Sequence, residues 1–198
     1  MTHLILETLF ESPIKVKLLK LFLRNPGKFF HEKEIPQKLQ APAGLVKKQL
    51  EGFLTINFLK KKAVIKDKKD LQKGIYFSAN PDFDFYHELR SLILKSSPAS
   101  KEKILNRVQR LGSIKLLLLA GVFLNSDNSR LDLFIVGDHI TQAKLNSFLR
   151  DLEAEVGKDI AFALMSAKEF NYRFHMFDRF VHDILEKPNE KLINKLRI

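Results

Sequence analysis

The sequence contains no cysteine and no tryptophan, and its 198 residues include only 8 glycines and 3 methionines. Without cysteine there is no disulfide framework, no Cys-based zinc site and no thiol nucleophile. No apolar run approaches the roughly 20 residues that a membrane span needs. Internal repeats and low-complexity tracts are also missing. Acidic residues are outnumbered, with 23 Asp+Glu against 34 Lys+Arg, a formal charge of +11 and a pI near 9.7. That excess suits contact with a polyanion. The opening Met-Thr-His-Leu-Ile-Leu-Glu reaches an acid before a signal-peptide core develops, so the expectation is a non-secreted, cytoplasmic protein with no membrane partner.

What is present suffices for two domains: 45% hydrophobic residues build real cores over this length. The 17 phenylalanines recur at helical spacing and read as core, a stronger reading than exposed stacking platforms for single-stranded RNA. Charge is uneven along the chain. Residues 1–97 hold 18 Lys+Arg and 10 Asp+Glu, against 16 and 13 in the remainder. Lys95-Ser96-Ser97-Pro98-Ala99-Ser100 is a small-residue, Pro-containing stretch between the halves and reads as a linker. The division is therefore 1–97 and 98–198.

In the first half, Ser12-Pro13 is a helix start, since Ser caps free amides and Pro is tolerated in the first turn. Ile14, Leu18, Leu21 and Phe22 follow at helical spacing, with Lys15, Lys17 and Lys20 expected on the opposite side. Asn25-Pro26-Gly27 ends that helix. Lys28-Phe29-Phe30 reads as a very short strand, followed by a short helix through Leu39. Ala41-Pro42-Ala43-Gly44 opens another helix with an apolar stripe of Val46, Leu50, Phe53 and Leu54. Its other face carries Gly44, Lys47, Lys48 and Glu51. Leu59–Ile65 and Gly74–Ser78 are strand-like, and the basic stretch Lys66–Lys73 between them predicts a hairpin.

Three helices followed by a hairpin is a winged helix-turn-helix order, in which the third helix enters a major groove and the hairpin lies along the neighbouring backbone. Small Ala43 and Gly44 permit close approach, and Lys47 and Lys48 project beside them. Lys66, Lys68 and Lys69 fall at the wing tip, within reach of phosphates. Lysines there act as point charges on phosphate, and a groove lysine also donates to guanine O6 or N7. The plainer reading is that all of them are solvated lysines. Lys60-Lys61-Lys62 alternates in and out of a strand and divides evenly between the two readings.

The stretch Glu7-Thr8-Leu9-Phe10 with Val16–Leu23 resembles the opening of ArsR-type winged-helix transcriptional regulators. Asn80-Pro81-Asp82-Phe83 and Glu88-Leu89-Arg90-Ser91-Leu92 are similar to the segment that follows the wing in that group. Pro36 departs from the pattern and is expected to start the second helix late or to kink it.

In the second half, Lys101–Leu111 is helical, Ile114–Ala120 and Leu131–Val136 are strands, and Thr141–Val156 is an amphipathic helix stopped by Gly157. Ile160–Met165 is a third strand. Ser166 is expected to cap one long aromatic-rich helix to Leu185, with Phe170, Phe174, Phe177 and Val181 on its inner stripe. The expected fold class is thus α+β: a winged-helix domain and a small α/β domain with a mixed sheet of about three strands.

This half resembles the minimal nucleotidyltransferase domain fused to such winged helices, and Phe177–Leu185 looks like its closing helix. The resemblance implies a Gly-Ser turn, a Ser-Asp-x-Asp-Leu strand and a third carboxylate, which together hold Mg²⁺ against a triphosphate. Carried over position by position, Gly121 matches, but Val122 stands where the serine belongs. Asp132 matches the second aspartate of Ser129-Arg130-Leu131-Asp132-Leu133, while Arg130 occupies the first position and repels a cation. Ile160–Met165 carries no carboxylate. Gly121, Arg130 and Asp132 are therefore expected to be a degenerate remnant, with no catalytic residue, no metal and no cofactor.

Six histidines show no HExxH or other close ligand pairing, and no glycine-rich stretch has P-loop spacing. Asp178 and His182, taken as four apart on one helix, read as a locally bonded pair before a catalytic dyad. The expected function is a DNA-binding transcriptional regulator, a homodimer on double-stranded DNA, whose second domain is catalytically inactive. That domain would serve dimerisation or bind a protein or nucleotide effector, with Arg130 gripping phosphate without metal. One alternative is an active minimal nucleotidyltransferase of antitoxin type. The other is a winged-helix module that binds RNA or protein.

Overall fold

The computed structural model describes residues 2–64, 73–96, 98–126 and 129–198. The chain is an α+β protein of two compact units, Met1–Ser96 with Glu153–Lys158, and Ser97–Leu152 with Asp159–Ile198. Among the described residues no helix is long and apolar enough to cross a membrane.

The first unit runs α1 (Thr2–Leu9), α2 (Pro13–Leu23), β1 (Phe30–His31), α3 (Glu34–Leu39), α4 (Ala43–Thr55), β2 (Leu59–Val64), β3 (Gly74–Ala79) and α5 (Tyr86–Lys95). Ser12 caps α2, its hydroxyl accepting the Lys15 amide at 3.3 Å, and Pro13 fills the first turn. The expected solvent face of α2 is missing. Every residue from Leu18 to Arg24 is buried, which makes α2 the central helix of its unit. Lys20 is fully buried, and its ammonium donates to the Glu155 carbonyl at 3.2 Å. Lys17, half-buried, donates to the Leu39 carbonyl at 2.8 Å. Apolar residues on all sides of Leu18–Leu23 outweigh the lysine spacing.

Pro36 neither delays nor prevents α3, which begins two residues earlier at Glu34. In the first turn a missing amide costs no helical hydrogen bond. Gln40 then takes a left-handed conformation (φ 49°) that ends α3, and Pro42 precedes α4. Val46, Leu50 and Phe53 of α4 are buried at the expected spacing. Each such side chain stabilises the fold by about 1.5–3 kcal/mol. Strands are ordered β1-β3-β2, all antiparallel, with Phe30 opposite Phe77 and Leu59 opposite Ala79. The expected alternation of Lys60–Lys62 is not seen, since all three are exposed on β2, an edge strand.

The second unit contains α6 (Lys101–Val108), β4 (Ser113–Leu119), β5 (Leu133–Asp138), α7 (Gln142–Val156), β6 (Phe162–Met165), α8 (Ala167–His175), α9 (Arg179–Glu186) and β7 (Glu190–Asn194); the last turn of α7 groups with the first unit. A 3₁₀ turn spans Gly121–Leu124. The sheet is mixed, in the order β6-β5-β4-β7, with only β5 and β6 parallel, as a crossover through α7 requires. It has four strands where three were expected. β7, a five-residue segment to which the sequence reading assigns no element, pairs along β4 from Leu116 to Leu119. Leu116, Leu118, Phe134, Val136 and Met165 pack with Phe170 and Val181 as the core.

The single long closing helix is in fact two. Phe177 has φ 54°, and the Asp178 carboxylate caps α9 by accepting the Val181 amide at 3.1 Å. An aspartate offered to free amides ends one helix and starts the next. Phe177, expected on the inner stripe, is 81% exposed.

Candidate functional site

The basic face of α4 is built by its own periodicity. With Val46, Leu50 and Phe53 turned inward, Ala43, Gly44, Lys47, Lys48 and Glu51 are all exposed. A methyl group placed on Gly44 would meet nothing within 4 Å, so the helix is open to close approach there. Among the described residues Lys47 and Lys48 have no ion-pair or hydrogen-bond partner. Leu45, 51% exposed between them and Gly44, was missed by sequence reasoning because a leucine in a helix is ordinarily assigned to core. Lys66, Lys68 and Lys69 lie outside the described residues.

The β2 lysines differ from one another in their surroundings. Lys60 pairs with Asp82 at 2.7 Å, an exposed contact worth about 0–1 kcal/mol. The Lys62 ammonium sits 5.4 Å from the centre of the Phe29 ring.

In the second unit Gly121, Arg130 and Asp132, expected to form one remnant, separate into two surroundings. Asp132 is buried, and both its carboxylate oxygens are committed to backbone. Oδ1 accepts the Val122 amide at 2.7 Å and Oδ2 accepts the Ala161 amide at 3.0 Å. Gly121 opens the 3₁₀ turn with φ 48°, its α-carbon packed so that any side chain would strike Asp132 Oδ1. Arg130, two residues before Asp132, is exposed instead and lines a cavity with Ser129, Leu131, Arg179, Phe180 and Lys187. Gly121 and Asp132 are thus brought together, and Arg130 lies apart from them on the cavity wall.

These residues do not fit a divalent metal. The one matching carboxylate has its oxygens occupied by amides, and the exposed residue at the first aspartate position is a cation. Among the described residues no group of three His, Asp or Glu could hold a metal ion. Asp178 and His182 form no dyad either. Asp178 caps α9, and the His182 ring is stacked between Phe174 (5.2 Å) and Phe177 (5.5 Å).

Comparison of the chain with protein-family models, with curated proteins and with solved structures finds no match, so its functional reading rests on its own residues.

Proposed function

We infer that the chain is a cytoplasmic DNA-binding transcriptional regulator, with a winged helix-turn-helix first domain and a catalytically inactive, nucleotidyltransferase-like second domain. The observation that carries the reading is the exposed face of α4. Lys47 and Lys48, unpaired among the described residues, stand one turn after the small Ala43 and Gly44 on a helix whose other side is anchored in a core, within the more basic half of the chain. An anchored helix holds its cations at fixed positions, which is what phosphate and base-edge contacts require. The three-residue turn Gln40–Pro42 between α3 and α4 supports a helix-turn-helix, and the β2–β3 pair supports a wing. Binding to paired half-sites as a homodimer follows the habit of such domains.

Against nucleotidyl transfer stands the commitment of Asp132 to two amides, which leaves the second domain to bind an effector or partner. The deciding experiment is recovery of genomic DNA fragments bound to the full chain, followed by titration of a recovered duplex and of a single-stranded RNA of equal length at several salt concentrations. Tight, salt-dependent duplex binding carries the reading, and preference for the RNA defeats it.

A further inference from the structure

The second unit holds a cavity of about 340 Å³, at the small end of the range that takes organic ligands. Its apolar wall is Ala120, Leu131, Phe180, Ile184 and Pro188, drawn from the end of β4, the approach to β5, and α9 with its exit. Phe180 is 39% exposed, so part of its ring is free to cover a ligand. The charged groups on the wall are Arg130, Arg179, Asp183 and Lys187. The Lys187 ammonium lies 3.6 Å from Asp183 Oδ2, so those two largely offset each other. Arg130 and Arg179 have no ion-pair partner among the described residues, leaving two guanidiniums beside an apolar floor.

We propose that this cavity binds a small organic anion, a single carboxylate or monophosphate head on an aromatic or aliphatic body. The guanidinium fork matches either head in a charge-assisted, bidentate geometry. The apolar wall takes the body, whose burial supplies the non-directional part of the affinity. Polyphosphates fit less well. They travel with a divalent cation, and the one carboxylate on the wall, Asp183, is already beside Lys187. The inference deepens the effector part of the proposed function and rests on it only for its regulatory meaning. Binding is measured on the full chain without DNA, so failure of either reading is visible separately.

The test is calorimetric titration with naphthoate, naphthyl phosphate, the neutral naphthamide and inorganic phosphate. At least one naphthyl anion is expected to bind, with naphthamide and inorganic phosphate each about tenfold weaker or more. The tighter of the two anions identifies the head group. Arg130→Gln and Arg179→Gln should each weaken it by about tenfold without lowering the thermal midpoint, because both side chains are exposed. Phe180→Ala, which leaves the charges in place, should weaken it as well. Equal binding of naphthamide would show an apolar hole indifferent to charge. Equal binding of inorganic phosphate would show an adventitious ion only. Either result, indifference to both arginine substitutions, or no heat from any probe at millimolar concentration overturns the proposal.

Discussion

Gly121 and Asp132 are locked to each other: the aspartate carboxylate lies where any side chain on the glycine would go, and it holds the amide of the following Val122 at 2.7 Å. Its other oxygen holds Ala161 at 3.0 Å, so one side chain ties the 3₁₀ turn to the entry of β6. Asp132→Ala should destabilise the protein by about 2 kcal/mol, chiefly because the buried Val122 amide left without a partner costs about 1–3 kcal/mol, whereas the amide of exposed Ala161 can turn to water. Gly121→Ala should cost a similar amount, combining a left-handed φ with direct overlap. Chemical denaturation measures both. If Asp132→Ala kept full stability and abolished a labelled-nucleotide transfer seen in the parent, the residue would be catalytic and the enzyme alternative would replace the regulator.

A second glycine makes a comparable demand in the first unit. Gly157 has φ 80°, and a methyl group there would stand 2.6 Å from the Lys20 carbonyl carbon and 2.7 Å from the Leu21 nitrogen. The Asn25 side chain donates to the Gly157 carbonyl at 2.8 Å, beside the Lys20–Glu155 contact. Gly157→Ala should therefore cost about 3 kcal/mol, from the left-handed backbone and from forcing two helices' backbones apart. A denaturation midpoint within error of the parent would show that the two backbones part here without cost.

Local chemistry in the sequence located the start of α2 at Ser12-Pro13, the apolar stripe of α4, and both strands of the β2–β3 pair within a residue or two. Two of its failures share one cause, a group whose partner lies far along the chain. Lys20 reads as surface until Glu155, 135 residues later, supplies the acceptor. β7 carries no strand signal of its own and is defined by its pairing with β4. The break before α9 is local instead: Asp178 reads as a helical residue until its carboxylate is seen to cap the Val181 amide, three residues on. Of the candidate sites, the exposed face of α4 was legible because helical periodicity alone turns Lys47 and Lys48 outward. Of the cavity only Arg130 was legible, as a grip for phosphate; Arg179 joins the same wall only through the fold, although Phe180 and Ile184 at i,i+4 on α9 form an apolar face.

Replacing Lys47 and Lys48 together by Ala should weaken duplex binding and leave the fold intact, because both are exposed and, among the described residues, unpaired. Each lost phosphate contact lowers the slope of log affinity against log salt by about one unit. The measurement is a salt titration of both proteins on one duplex. An unchanged slope with unchanged affinity removes α4 from the interface.

Neutralising Lys66, Lys68 and Lys69 together probes the wing. Contacts made only to phosphate carry no sequence information, so affinity should fall by a similar factor for every duplex tested. A variant that lost one sequence and kept general DNA binding would show that these lysines read bases.

Gly44→Glu separates the groove reading from simple attraction between a basic protein and DNA. Position 44 is the second residue of α4, exposed, with open space where a side chain would begin. Glutamate is a better helix former than glycine by a few tenths of a kcal/mol or more, and an acid in the first turn is favoured by the helix dipole. The variant should therefore be at least as stable as the parent. Against DNA the same side chain adds bulk and negative charge where α4 approaches most closely, and duplex affinity should fall by about tenfold or more. Gly52→Glu is the matched control, an equal change of charge at another exposed glycine of α4, two turns further along. A loss at both positions of equal size would reduce the effect to net charge. A loss confined to Gly44→Glu would assign the N-terminal turn of α4 to the groove.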